Sequence, residues 1–156
     1  MKNFIVLFAV LILAGCSSDD ERDCCTNIDT GVAIKYIHED GKNLFEKENG
    51  LTEADLTIYH KINSEWVRYF EGILDSPKGI RIDEREEGTY LVVFPSTTVV
   101  ENKYTKTKIE FSESDFDILK TEMDQSNSNK VVTKVWYNDE LKWEGNQSPR
   151  KFEIIK

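Results

Sequence analysis

Tyr90-Leu91-Val92-Val93-Phe94, closed by Pro95, decides the fold class. The run is apolar on both of its alternating faces and rich in β-branched and aromatic residues, which suits a strand covered on both sides. Proline lacks the N–H that a ladder needs, so the strand ends there. A strand of this kind belongs at the centre of a β-sandwich.

Outward from that run the period of two recurs. Val32, Ile34 and Tyr36 alternate with Ala33, Lys35 and Ile37, as in a strand with one buried face. Thr105-Lys106-Thr107-Lys108-Ile109-Glu110-Phe111 places threonines, Ile109 and Phe111 on one face and Lys106, Lys108 and Glu110 on the other. Phe116, Ile118 and Lys120 continue in a further strand after a turn at 112–114, and strands are expected at 131–137, 141–143 and 152–155. Ser126-Asn127-Ser128-Asn129 reads as a loop. Residues 52–73 admit two readings. Leu56, Tyr59, Ile62, Trp66, Tyr69 and Ile73 fall on one helical face, yet the enrichment in Thr, Ile, Tyr, Trp, Val and Phe favours a hairpin of 56–62 and 66–71 turning at Asn63-Ser64. The whole predicts an all-β domain, immunoglobulin-like or a related antiparallel β-sandwich, of about seven to nine short strands.

The hairpin around Asn138-Asp139 has two possible registers. A two-residue loop pairs Trp136 with Leu141 and Lys134 with Trp143. A three-residue loop pairs Tyr137 with Leu141 and Val135 with Trp143, which matches apolar with apolar and is the expected register.

The first fifteen residues, MKNFIVLFAVLILAG, carry a charged start at Lys2 and an apolar run too short to span a membrane. Leu13-Ala14-Gly15-Cys16 resembles the bacterial lipobox, which implies cleavage before Cys16 and fatty acylation (palmitate or a similar chain) of that cysteine. Ser17-Ser18-Asp19-Asp20-Glu21 resembles the serine-plus-acidic signal by which lipoproteins of Bacteroidota reach the cell surface. The resemblances imply a signal peptide at 1–15, a lipidated acidic tether at 16–29 and a β-sandwich at 30–156. They also imply an outer-membrane, lipid-anchored location, exposed at the surface or, alternatively, facing the periplasm. Asp115 to Glu122 and the stretch Val132-Thr133-Lys134-Val135-Trp136-Tyr137-Asn138-Asp139 look like small lipoproteins of Bacteroidota that carry no assigned activity.

Loss of Lys2 leaves 19 basic residues against 29 acidic ones, a balance of −10. With the basic residues dispersed among acids, no nucleic-acid partner is expected. The adjacent Cys24 and Cys25 lack the spacing of a zinc site and are expected to be tether-proximal thiols. Of the two histidines, His38 is expected at a strand end and His60 within the hairpin, and no catalytic or cofactor motif accompanies either. Glu113, Asp115 and Asp117 would share one face of an extended segment, where a charge-guarded strand edge is a commoner outcome than calcium. The expected protein is therefore a non-enzymatic module with no cofactor and no metal, held at the membrane by its N-terminal lipid. Trp66, Trp136 and Trp143 are its candidate ligand-binding residues, for a protein or glycan partner. An immunity or inhibitor protein is a further alternative.

Overall fold

The structure is a computed structural model and describes residues 26–46, 48, 50–146 and 149–156. The leader, Cys16, Cys24 and Cys25, with the signal-peptide and lipidation expectations attached to them, lie outside the described residues.

Eleven strands follow one another as β1 (Ile28–Asp29), β2 (Val32–Ile37), β3 (Thr57–Ile62), β4 (Glu65–Arg68), β5 (Ile80–Arg85), β6 (Gly88–Val93), β7 (Tyr104–Ser112), β8 (Asp115–Asp124), β9 (Lys130–Tyr137), β10 (Glu140–Glu144) and β11 (Lys151–Ile155). They form a seven-stranded sheet in the order β1-β9-β8-β7-β3-β4, with β10 also on β9, and a four-stranded sheet in the order β11-β2-β6-β5. The sandwich is present as expected, but with eleven strands instead of seven to nine. It is also not purely antiparallel, because β1 runs parallel to β9 and β11 parallel to β2. The domain starts earlier than position 30. Ile28–Asp29 already pairs with Lys130 and Val131, and Arg150 donates two hydrogen bonds to the Asp29 carboxylate at 3.0 and 3.1 Å.

The alternation read from sequence places the core. Val32, Ile34 and Tyr36 of β2 and Leu91 and Val93 of β6 face Ile58, Ile109, Leu119, Val132 and Val135 of the larger sheet, all buried. Tyr90 and Val92 are buried on the opposite face of β6, as the apolar run demands. The threonines of β7 are buried with their hydroxyls satisfied. Thr105 Oγ1 meets Thr121 Oγ1 at 2.6 Å, and Thr107 Oγ1 accepts the Ser96 N–H at 2.8 Å. A buried hydroxyl without such a partner would carry its full desolvation penalty. On β8 Asp117, Leu119, Thr121 and Met123 are buried on the inward face and Glu122 is buried beside Lys103, while Phe116, Ile118 and Lys120 form the outward face.

Residues 57–68 form a hairpin, not a helix. Asn63 and Ser64 both have positive φ (48° and 70°), the backbone a two-residue turn of matching twist requires. The hairpin of β9 and β10 turns in the same way at Asn138 and Asp139, with φ of 47° and 68°. The expected three-residue loop is therefore incorrect at its tip: Leu141 faces Trp136. A shift between Leu141 and Trp143 then pairs Trp143 with Val135. The bulge reconciles the favoured turn with apolar matching further along, and its extra residue is Lys142.

Candidate functional site

The outward face of the larger sheet carries a set of aromatic and cationic side chains in mutual contact. Each strand contributes through simple alternation. Ile58 and His60 of β3 point inward, so Tyr59 and Lys61 point outward; Thr105, Thr107 and Ile109 of β7 point inward, so Lys106 and Lys108 point outward. On β8 and β9 the outward residues include Lys120 and Trp136.

Register lines these residues up across six strands. Trp66 of β4 pairs with Lys61 of β3. His60 pairs with Thr107, and Lys61 and Lys106 are the next positions on those two strands. Lys106 pairs with Lys120, Lys120 with Trp136, and Trp136 with Leu141 of β10. The result is a transverse row in which three lysines on adjacent strands stand between two tryptophans.

The aromatic rings seat the outer two ammonium groups. Lys61 Nζ lies 4.9 Å from the Trp66 ring centroid. Lys120 Nζ lies 4.7 Å from that of Trp136 and 4.6 Å from that of Tyr104, whose ring meets Trp136 edge-on at 5.6 Å. Cation–π attraction of this kind is worth about 0.5–1 kcal/mol at exposed sites. Among the described residues, Lys61, Lys106 and Lys120 have no carboxylate partner. Neighbouring lysines do. Lys108 meets Glu110 at 2.5 Å and holds that carboxyl below its ordinary range, Lys103 meets Glu122 at 2.7 Å, and Lys134 meets Glu144 at 2.7 Å. Burial pushes the Glu122 carboxyl up, but hydrogen bonds from Lys103 and Thr133 outweigh it, leaving the group low and ionised.

Like charges directly opposite one another across a ladder are destabilising. The fold therefore carries a local charge conflict at Lys61, Lys106 and Lys120 while neutralising the cations on either side. Local conflicts of this kind concentrate at functional positions.

The three candidate tryptophans separate. Trp66 and Trp136 lie at the two ends of the row, both half-buried. Trp143 belongs to the core at 7 % exposure, with the Arg150 guanidinium 4.8 Å above its ring, so it offers no platform to a ligand. Sequence alternation assigned Lys106 to an outward face. It did not foresee that Lys61 and Lys120 join it, because only the pairing of three distant segments brings them together.

Other candidates are structurally occupied. A cleft of about 840 Å³ borders Asp29, Arg81, Arg85, Phe94, Trp143 and Arg150, but its arginines are engaged by Asp29 and Asp83. His38 is exposed beside Asp40, whereas His60 is buried and stacked on Tyr69 at 4.2 Å. Asp115 and Asp117 are bridged by Lys156 Nζ at 2.6 and 2.8 Å, and Asn138 donates to Asp117 at 2.8 Å. The Lys156 ammonium thus occupies the place a bound cation would take between Asp115 and Asp117, while Glu113 lies in the preceding turn. Among the described residues no group of three or more His, Cys, Asp or Glu is arranged to hold a metal, and no helix is long and apolar enough to cross a membrane. No protein-family model, curated protein or solved structure matches the chain.

Proposed function

We propose that the chain is a lipid-anchored lipoprotein of the bacterial envelope, acylated at Cys16, whose β-sandwich is a non-catalytic binding module. Its binding surface is the outward face of the larger sheet. The observation that carries this reading is the row Lys61, Lys106 and Lys120, uncompensated by carboxylates among the described residues and bracketed by Trp66 and Trp136. A fold that only needed solubility would gain from interspersed charges, as on the rest of this surface. The stretch at 17–23 consists of serine and charged residues only, a composition that suits a spacer between lipid and domain.

Two measurements on cells test the anchoring. Feeding a clickable palmitate analogue should label the wild-type protein and leave Cys16→Ser unlabelled and released from membranes. Protease added to intact cells should digest the domain. Labelling that persists in Cys16→Ser contradicts the anchor, and a domain protected until the outer membrane is breached contradicts the outward orientation.

A further inference from the structure

We infer that the row binds a linear acidic polysaccharide, one carrying a carboxylate on each sugar, laid across the strands from Trp66 to Trp136. The inference rests on the reading of this face as the binding surface and specifies its ligand.

Charge spacing gives the first argument. Lys61, Lys106 and Lys120 stand on the adjacent strands β3, β7 and β8. Neighbouring strands are about 4.8 Å apart, so the three lysines rise from adjacent backbone positions and the strands that carry the two tryptophans are about 19 Å apart. An extended polyuronate carries one carboxylate per ring, so a chain laid over that span brings several carboxylates within reach of the three flexible lysine side chains. Charge-assisted hydrogen bonds from the three ammonium groups to the carboxylates on the facing side of the chain would relieve the like-charge conflict that the free protein holds.

Flanking charges restrict the geometry to a line. Glu110 stands on one side of the row, and Glu122 and Glu144 stand on the other, each paired with its own lysine. A plane of anionic headgroups brought onto this face would meet neutral ion pairs on both sides of the row and uncompensated charge only along it. A linear polyanion lying along the row meets the lysines first.

Ring occupancy separates a glycan from single-stranded nucleic acid. Binding of unpaired bases relies on aromatic faces open for stacking. Here those faces carry ammonium groups: Lys61 over Trp66, Lys120 over Trp136 and Tyr104, and Lys108 over Tyr59 at 3.9 Å. The indoles act as seats that fix the lysines, which suits ionic recognition of a non-aromatic, evenly charged chain.

The test uses the full-length protein in a zwitterionic detergent, with polygalacturonate and alginate as probes. Fully methyl-esterified polygalacturonate, an oligo-dT strand and phosphatidylglycerol vesicles are the comparisons. Polygalacturonate or alginate should bind with an affinity that falls as salt rises, and esterification should weaken binding about tenfold or more, equivalent to the loss of a few exposed charge-assisted bonds. The double variant Lys106→Gln/Lys120→Gln should lose about as much while its thermal unfolding midpoint does not fall. If the ester binds as well as the acid, if oligo-dT or vesicles bind as tightly as the polysaccharides, or if neither polysaccharide binds, the ligand class is wrong and the face remains open to another partner. If the acid polymers bind the double variant unimpaired, the face itself is not the binding surface.

Discussion

Lys120 of β8 and Trp136 of β9 are direct cross-strand partners, and the lysine's ammonium lies 4.7 Å from the indole centroid. Lys120 has Lys106 as its register partner on the other side. One attractive and one repulsive neighbour thus meet at a single residue, and the repulsive one extends to Lys61. A surface optimised for stability alone would remove this repulsion. Lys106→Thr keeps a good strand former and deletes the central charge. It should raise stability by about 0.5 kcal/mol in urea unfolding while weakening binding at this face. A loss of stability would show that the lysines support the fold.

His60 and Tyr69 stack with centroids 4.2 Å apart, and burial pulls the imidazole pKa down to about 4. The unfolded chain, with the ordinary value near 6.5, therefore binds the proton more readily than the folded one between those two pH values. Stability should fall as pH drops through that window, by about 2 kcal/mol between pH 7 and pH 5. Carboxylates held low by hydrogen bonds, such as Glu122 and Glu110, lose their contribution mainly at lower pH. His60→Phe keeps an aromatic ring against Tyr69, so its urea midpoint should be nearly flat from pH 7 to pH 5. An unchanged pH slope in the variant would assign the acid sensitivity elsewhere.

Arg150 fastens the start of the domain. Besides its position over Trp143, its terminal nitrogens donate to both Asp29 oxygens, to the Gly31 carbonyl at 2.9 Å and to the Val132 carbonyl at 3.1 Å. That hydrogen bonding holds the Asp29 carboxyl below its ordinary range. Lysine cannot reproduce the planar fork. Arg150→Lys should cost about 2 kcal/mol of unfolding free energy, and Arg150→Ala about 3 kcal/mol. Hydrogen exchange should then quicken first in β1. Wild-type stability in Arg150→Lys would show that charge alone suffices.

How far these features were legible in the sequence depends on whether a local rule or a long-range pairing produces them. The buried triplet Val32, Ile34 and Tyr36, the doubly covered β6 and the Asn63-Ser64 hairpin follow from alternation and turn chemistry within a few residues. β1 has no such pattern. Its two exposed residues are ordered by parallel pairing with β9 and by Arg150, 121 residues downstream of Asp29. The bulge at Lys142 arises because turn geometry and apolar matching demand different registers, and sequence alone favours one or the other. Trp136 and Trp143 look equivalent in composition, yet alternation and that bulge send the first outward and the second inward. The lysine row depends on two pairings, β3 with β7 and β7 with β8, that bring together residues up to 59 positions apart, from Lys61 to Lys120, so it emerges only with the assembled sheet.

The Asn138-Asp139 turn separates two kinds of left-handed residue. Asn138 accepts the Ile118 N–H at 2.8 Å and donates to Asp117, so its side chain is committed. Asp139 is exposed with φ of 68°. Glycine relieves the strain of that conformation, so Asp139→Gly should stabilise by about 0.5–1 kcal/mol. Asn138→Gly should instead destabilise by about 1–2 kcal/mol, because Asp117 loses a hydrogen bond beside the core. Equal effects from the two variants, read from thermal unfolding, would contradict this division.

The central claim, that the lysine row is the surface occupied by a partner, is tested most directly by amine-reactive footprinting of the anchored protein on intact envelopes and after purification. Lys61, Lys106 and Lys120 should be acetylated several-fold more slowly on envelopes than in the purified protein, while exposed Lys42 and Lys130 react equally in both. If the three lysines of the row react on envelopes as fast as they do in the purified protein, relative to Lys42 and Lys130, the surface is unoccupied and the account is contradicted.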